Sequence, residues 1–560
     1  MRKASTEKAA KKPKTKKKCK APKESANTPS FVYTLKLRYC KAQEERLDKI
    51  FRAANNMYND LVRNRLDALK ELEENERYRS LQDQIRALYQ DKTLPKKERD
   101  KLVAPLGEER DQMRKDAGLS CAKHSFDTFM QPYRNQYRST LKSRKCLVNS
   151  QVAKQIAESV RIKFDRYIND NGKKIRFRRL EDCRSIESSA SETGIVFKGD
   201  RVMVGQGFEI KVKLADTDYE RECLEHRIKY CRIIRIPWKK GWLYKLQLIL
   251  EGTPPVIRNK DGEPKHTIGK GEVGLDIGLQ DIAVVGDEGA MIPELAPNVD
   301  NAADEIADIQ RKLDHKRRLS NPDFFDEQGR IVPINKLPKE RLTKRGKRVW
   351  IKSNTYRRLE QRCRYLQAKA ARTRKYDHQA LANKILRYGD VFNIEKMRWQ
   401  GLAKKAKLQK REDGTYKRRK RFGKSILMKS PGTLVTLLEE KALRYGGQLR
   451  EIDTFSTKAS QYNHLTGEYK KIPLGQRWKT FEYNAGKYVI QRDLYSAFLL
   501  SCMNKTLNGF EQGKCNRKFD QFIVHHERAV REREDIDPKY KHSHEKYIER
   551  HLVVGQMKFE

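Results

Sequence analysis

The rhythm of apolar positions changes several times along the chain, and each change marks an element. Phe31, Tyr33, Leu35, Leu37 and Tyr39 alternate with Val32, Thr34, Lys36 and Arg38, the period of a half-buried strand. Leu47, Ile50, Phe51, Ala54, Met57, Tyr58 and Leu61 then recur at helical spacing. Charged helical sequence runs on to about residue 170, with breaks expected near Pro95 and Pro132. From Gly194 to Leu250 the period returns to two, over Ile195–Lys198, Arg201–Val204, Phe208–Leu214, Cys231–Ile236 and Trp242–Leu250. These strands predict a small antiparallel barrel. The strand at 31–39 is expected to join it, which makes the helical block an insertion into a β domain.

After a linker at Gly252-Thr-Pro-Pro255, Val273–Ile277 and Ile282–Val285 read as the two strands of a hairpin. A basic helical hairpin follows over 305–375, with Leu359, Cys363, Leu366 and Ala370 as its apolar stripe, and then a buried strand Val391–Ile394. A basic insertion over 402–428 holds eleven Lys and Arg between 402 and 424 around the turn Glu412-Asp-Gly-Thr415. A helix over Thr433–Tyr445, a strand Leu449–Ile452 and a helix from Asp493 to about Asn504 complete the unit. Residues 506–560 read as a polar tail, with a charged segment Arg528–Asp537 that is helix or tail.

Composition adds a partner. The 560 residues suffice for more than one core. A net charge of +48, from 123 Lys and Arg against 75 Asp and Glu, points to a polyanion, and nucleic acid is the simplest one. Residues 1–30 hold eleven Lys and Arg with almost no apolar content, so they read as a disordered basic arm, a phosphate-binding tail in preference to a nuclear localisation signal. No membrane-spanning stretch or secretory signal is evident, so the expectation is a soluble, cytoplasmic protein. The ten cysteines include no C-x-x-C pair, which argues against a disulfide framework or a zinc site.

Three acids stand where acids are disfavoured: Asp276 interrupts an apolar strand, Glu395 ends one, and Asp493 opens an apolar helix. Singly, each reads as a turn former or helix cap. Together they supply what metal-assisted phosphodiester hydrolysis needs, carboxylates converging on Mg²⁺ or Mn²⁺ from two strands and a helix.

The segments Gly274-Leu-Asp-Ile-Gly-Leu279 with Ile282–Val285, Val391-Phe-Asn-Ile-Glu-Lys-Met397 and Gln491-Arg-Asp-Leu-Tyr-Ser-Ala497 resemble, in order and spacing, the three RuvC motifs of the TnpB family and its type V CRISPR relatives. The resemblance extends to Lys441–Gly446, the basic hairpin and the strand-then-helix start. It implies an α+β multidomain protein: a β-barrel wedge domain over 31–60 and 175–255, a helical recognition insertion over 61–174, and an RNase H-like (RuvC) nuclease domain over 256–505. It also implies an RNA-guided DNA endonuclease in a prokaryotic cytoplasm, with Asp276, Glu395 and Asp493 as catalytic metal ligands. Its partners would be a guide RNA, from a transposon end or a CRISPR array, and a target DNA beside a short flanking motif. In such a division of labour base pairing supplies sequence while basic grooves hold the heteroduplex.

The sequence departs from that family in one region. Relatives carry a zinc ribbon where residues 455–490 have no cysteine, so this loop is expected to fold without zinc, around Tyr462, Trp478, Phe481 and Tyr483 as a small core or, less simply, with these rings stacking on bases; His464 alone cannot hold the metal. Tyr495 replaces an Asn common among relatives. Arg492 reads equally as a contact to the transition-state phosphate or as a surface arginine, and the 402–428 insertion as a lid or a solvated loop. The competing functions are an RNA-guided DNA-binding repressor without cleavage, an RNase H-like DNA transposase, and an RNA-binding structural protein. The presence of all three acids disfavours the first and the last, and the absence of a helix-turn-helix pattern disfavours the transposase.

Overall fold

The computed structural model describes residues 28–137, 148–169, 175–404 and 422–551, apart from 92, 206, 344–345 and 474. Most of the basic arm and most of the basic insertion therefore lie outside the described residues. The fold is mixed α/β, with a curled antiparallel sheet and a second, mixed sheet.

Strand β1 (Ser30–Arg38) turns alternate side chains inward, with Leu35 and Leu37 fully buried. It leads into α1 (Lys41–Glu74), whose buried Leu47, Phe51, Ala54, Tyr58, Leu61 and Val62 form one apolar stripe. Gln43 fastens the start of α1, accepting the Cys40 N–H at 3.0 Å and donating to the Glu209 carbonyl at 2.8 Å. The helix runs unbroken for 34 residues, so the expected boundary at residue 60 falls inside it. Its apolar period does not change there, and nothing in the chain ends it before Asn75.

Helices α2 (Glu76–Gln90), α3 (Lys96–Asp116), α4 (Lys123–Tyr137) and α5 (Ser150–Ile168) complete the helical block. Pro95 stands at the N-cap of α3, where its missing N–H costs nothing. Pro132 lies inside α4 without ending it. The lost backbone hydrogen bond is offset by packing, since Phe126 and Met130 of α4 are buried in the core formed with α1 and α5.

The chain returns through β2 (Ser185–Glu187), β3 (Ile195–Lys198), β4 (Arg201–Val204), β5 (Glu209–Lys213), the short α6 (Asp218–Glu225), β6 (Ile228–Pro237) and β7 (Trp242–Glu251). The seven strands order as β2-β6-β7-β1-β5-β4-β3. β1 lies antiparallel between β7, with Leu35 opposite Leu246, and β5, with Leu37 opposite Val212. The sheet curls until β3 approaches β6, enclosing Ile195, Val202, Ile210, Ile233, Leu246 and Leu248.

The second sheet has five strands: β8 (Glu272–Ile277), β9 (Ile282–Gly286), β10 (Gly289–Met291), β11 (Val391–Glu395) and β12 (Gln448–Ile452), ordered β10-β9-β8-β11-β12. The first three pair antiparallel; β11 lies parallel to both β8 and β12. Between β10 and β11 run α7 (Asp300–Leu319) and the long α8 (Asn354–Ile385), packed through Ile306, Ile309, Cys363 and Leu366. The short α9 (Trp399–Ala403) and α10 (Gly423–Lys429) precede α11 (Pro431–Arg444). Helices α8 and α11 bury Leu381, Ile385, Leu434 and Leu438 against one face of the sheet.

Beyond β12 come the single-turn α12 (Thr454–Thr457), the hairpin of β13 (Trp478–Tyr483) and β14 (Gly486–Gln491), and α13 (Arg492–Ser501). α13 covers the opposite face of the sheet and is apolar almost all round, with Leu494 to Ser501 all buried. It lies so close to β8 that a Cβ on Gly274 would stand 1.7 Å from the Ala497 carbonyl oxygen. Asn393, the register partner of Gly274 on β11, donates to the Leu500 carbonyl at 2.9 Å.

Of the expected polar tail, 512–536 and 538–551 are helical, and over 528–536 the helix alternative holds. α14 (Gln512–Ile536) lays Cys515, Phe519, Phe522, His526, Ala529 and Val530 into the same core as α13, and α15 (Pro538–His551) packs on it. Its apolar residues are few but recur at three and four positions, enough to bury one face. Among the described residues no helix is long and apolar enough to cross a membrane.

Candidate functional site

The three acids converge on one side of the five-stranded sheet. β8 carries Asp276 and β11 ends in Glu395, on adjacent parallel strands; α13 crosses β8 and brings Asp493 in its first turn. Burial, and then repulsion from Asp493 and Glu395, hold the Asp276 carboxyl far above the usual carboxylate range, against the pull of Arg492 and Arg477. Burial likewise raises Glu395, while a hydrogen bond from the Ala459 backbone N–H works in the other direction. Within the cluster Asp276 is thus the carboxyl that its neighbours make hardest to ionise.

Asp493 is the most engaged of the three. Arg492 Nε and Nη2 reach its Oδ1 at 3.1 and 3.0 Å, while Arg477 Nη1 and Gln491 Nε2 reach its Oδ2 at 2.8 and 3.1 Å. Arg492 is 7% exposed and also donates to the Gln476 carbonyl at 3.2 Å, so it is no free surface arginine. Gln491 caps α13 by accepting the Leu494 N–H at 2.6 Å. Its own backbone N–H donates to His526 Nε2 at 2.9 Å. His526 belongs to α14, so the C-terminal helix holds the residue that starts α13. Burial holds His526 at about 3, which keeps its ring neutral and able to accept that bond.

The loop without cysteines is built on aromatic packing. Trp478 is 2% exposed and stacks on His544 at 4.0 Å; Phe481, 4% exposed, meets Tyr495 at 4.6 Å. Tyr462 stacks on Phe510 at 5.1 Å and Tyr483 meets Phe519 edge-on at 4.9 Å. The core reading of these rings is what the structure has, and the two buried ones are closed to a base. Tyr495 is itself fully buried: its hydroxyl accepts the His464 backbone N–H at 3.0 Å and lies 2.7 Å from His464 Nδ1. Burial lowers His464 to about 4.

No family model and no curated protein matches the sequence. Solved structures similar to it include two complexes. A cryo-EM structure of a Cas12f1–sgRNA–target DNA complex aligns over 86% of this chain and 99% of that chain, at 11% identity and a TM-score of 0.37. A cryo-EM structure of a CRISPR-Cas12f ternary complex aligns over 82% of each chain, at 11% identity and a TM-score of 0.22.

Oxygen donors suit a hard divalent cation, and a buried carboxyl lifted by its neighbours' charge is a group that added positive charge would ionise. The donor chemistry therefore fits Mg²⁺ or Mn²⁺. The arrangement is not that of a finished ligand set: among the described residues no three His, Cys, Asp or Glu side chains are grouped closely enough to hold one ion. At Asp493 two guanidinium groups engage both carboxylate oxygens. Sequence reasoning missed Arg477, Gln491 and His526. Arg477 is one exposed arginine among 123 basic residues, and neither a glutamine that caps a helix as acceptor nor a neutral buried histidine leaves a mark in the sequence.

Proposed function

We propose that this protein is an RNA-guided DNA endonuclease whose RNase H-like, RuvC-type domain hydrolyses target DNA through divalent metal held by Asp276, Glu395 and Asp493. The observation that carries the reading is the burial of Asp276 under the combined charge of Asp493 and Glu395. Like-charged carboxylates gathered at one sheet edge cost stability, and such a cost persists where chemistry uses it. The strand order supports it, with three antiparallel strands followed by two parallel ones and the acids on the central pair and the crossing helix. So does the charge of +48, carried largely on the helical block, the long hairpin and the arm, surfaces that a nuclease acting on DNA alone does not need. The resemblance of the three motifs names the second polyanion as a guide RNA, with the curled sheet as wedge domain and α1–α5 as recognition block.

When bound, the metal would stabilise the attacking and leaving oxygens of the phosphodiester. The chain's own residues supply the rest. Asp276 and Glu395 fix the donors on rigid strands. Arg477 and Arg492 balance the charge of Asp493, and a guanidinium so placed is suited to grip a DNA phosphate in a two-pronged hydrogen bond. Gln491 and His526 hold the first turn of α13 in place.

One observation favours a second reading, an RNA-guided DNA-binding repressor: the arginines already neutralise Asp493 without a metal. The two separate in one experiment. Protein purified with its RNA, and given a guide-matched DNA with Mg²⁺ or Mn²⁺, should cut it; Asp276→Asn, Glu395→Gln and Asp493→Asn should each abolish cutting while leaving guide and target binding intact. Binding of RNA and target by the wild type without any cutting selects the repressor.

A further inference from the structure

Phe455 is 84% exposed, the most exposed of the large apolar side chains among the described residues. It belongs to α12, the single turn that follows β12 beside the acid cluster. The segment around this turn is held to the end of β11, at Glu395 and Lys396. In the sheet Ile452 pairs with Glu395 itself. Thr454 Oγ1 donates to the carbonyl of Lys396 at 3.2 Å, and the Ala459 N–H donates to the Glu395 carboxylate. Between these anchors Thr457 is fully buried and its hydroxyl bonds the Asp453 carbonyl at 3.0 Å. Lys458 closes the turn in the left-handed region at φ +45°, a conformation that costs a non-glycine residue energy, and it is what aims the Ala459 N–H at Glu395. The Phe455 ring is therefore not a loose surface residue: it stands on a rigid turn about 6 Å long, one end of which touches a catalytic acid.

Lys458 is exposed on the same stretch, three residues after the ring. The other cations of this region are already paired, Lys396 with Glu451 at 3.1 Å and Arg477 with Asp493 at 2.8 Å. The next residues along the turn, Thr454 and Lys458, are polar, so the ring lacks the apolar neighbours that a protein-docking surface provides. An exposed aromatic face with an exposed ammonium group three residues on matches single-stranded nucleic acid, which offers a base to stack and a phosphate beside it.

We propose that Phe455 is the stacking platform for a base of the single strand entering the acid cluster, with Lys458 contacting the adjoining phosphate. The inference rests on the nuclease reading above and adds the residue that positions the strand. It makes Phe455 a binding residue that sets where along the strand the scissile bond lies, independent of base identity, because every base has a face to stack.

The test uses the full chain with its bound RNA, carrying Asp493→Asn so that the strand stays uncut, and a single-stranded DNA with 2-aminopurine at successive positions. Binding should quench the fluorophore at one position. Phe455→Ala should abolish that quench and weaken binding about tenfold, while Phe455→Trp keeps both. Lys458→Ala should weaken binding in a salt-dependent way with the quench retained. In the cutting-competent protein, Phe455→Ala should blur the cut into several neighbouring positions. Tight binding with no quenched position, or a quench unchanged in Phe455→Ala, overturns the proposal and leaves the nuclease reading standing. A parent protein that binds no single strand overturns both.

Discussion

Arg477 Nη1 lies 2.8 Å from Oδ2 of Asp493, on the side of the carboxylate opposite to the one gripped by Arg492. A metal ion approaching this carboxylate competes with a guanidinium already there. Arg477→Ala removes the competitor and also one of the two cations that hold down Asp276. Divalent-ion binding should tighten, with the Mn²⁺ midpoint falling about three- to tenfold, the scale of one unit charge across a partly solvated site. Titration of free Mn²⁺ by electron paramagnetic resonance reads this directly. A midpoint that stays or rises shows that Arg477 does not compete with the ion.

Gly274→Ala should be among the most damaging single-methyl additions to the molecule. The new Cβ meets backbone on α13, the Ala497 carbonyl at 1.7 Å and the Ser501 nitrogen at 2.5 Å, so no side chain can turn aside. Overpacking typically costs about 1–3 kcal/mol, and a rigid backbone clash lies at or beyond the top of that range. Thermal unfolding, or loss of soluble protein, measures it; a melting temperature within a degree of the wild type contradicts the close packing of α13 on β8.

Two buried neutral histidines make stability depend on acid. His464 and His526 titrate at about 4 and about 3 in the folded chain, below the roughly 6.5 of an unfolded histidine. Above that value neither state takes the proton. As pH falls below it the unfolded chain binds protons that the folded chain refuses, so stability present at neutral pH is lost, at up to about 1.4 kcal/mol per pH unit for each ring, until the folded values are reached. Urea unfolding between pH 7.5 and 5 should show this slope. His526→Gln, whose side-chain oxygen can accept the Gln491 N–H, should flatten it by one proton.

Tyr495→Phe tests the same region without charge. It removes the hydroxyl that satisfies both the His464 N–H and Nδ1 inside the core, where Nε2 of that ring has no partner among the described residues. The expected loss is about 1–3 kcal/mol by chemical denaturation, the cost of a buried polar group left unpaired. A variant as stable as the wild type shows that the bond contributes nothing net.

Regular alternation made the strands from 195 to 250 legible, while the hairpin at 273–285 was legible as two short apolar runs, buried almost throughout. The three acids drew notice because Asp276 breaks an apolar run at a cost in energy; the structure brings them near one another, and their role as metal ligands is the proposal. The domain boundary at residue 60 was not legible, since α1 passes from sheet to helical block with its stripe unchanged. The C-terminal helix was hidden by composition. Phe519, Phe522, His526 and Ala529 keep helical spacing, but the lysines, arginines and acids between them give the segment the average polarity of a tail.

The burial of α14 sets a limit on how this chain can be made smaller. Cutting it after α13 removes the partners of Phe498, which stacks on Phe522 at 4.4 Å, and takes away His526 from beneath the residue that begins α13. A miniaturised version ending there would present a sticky aromatic face to solvent and aggregate, or be digested, before its chemistry could be assayed. Reporter or effector fusions are better placed after His551, where the helical hairpin is already complete.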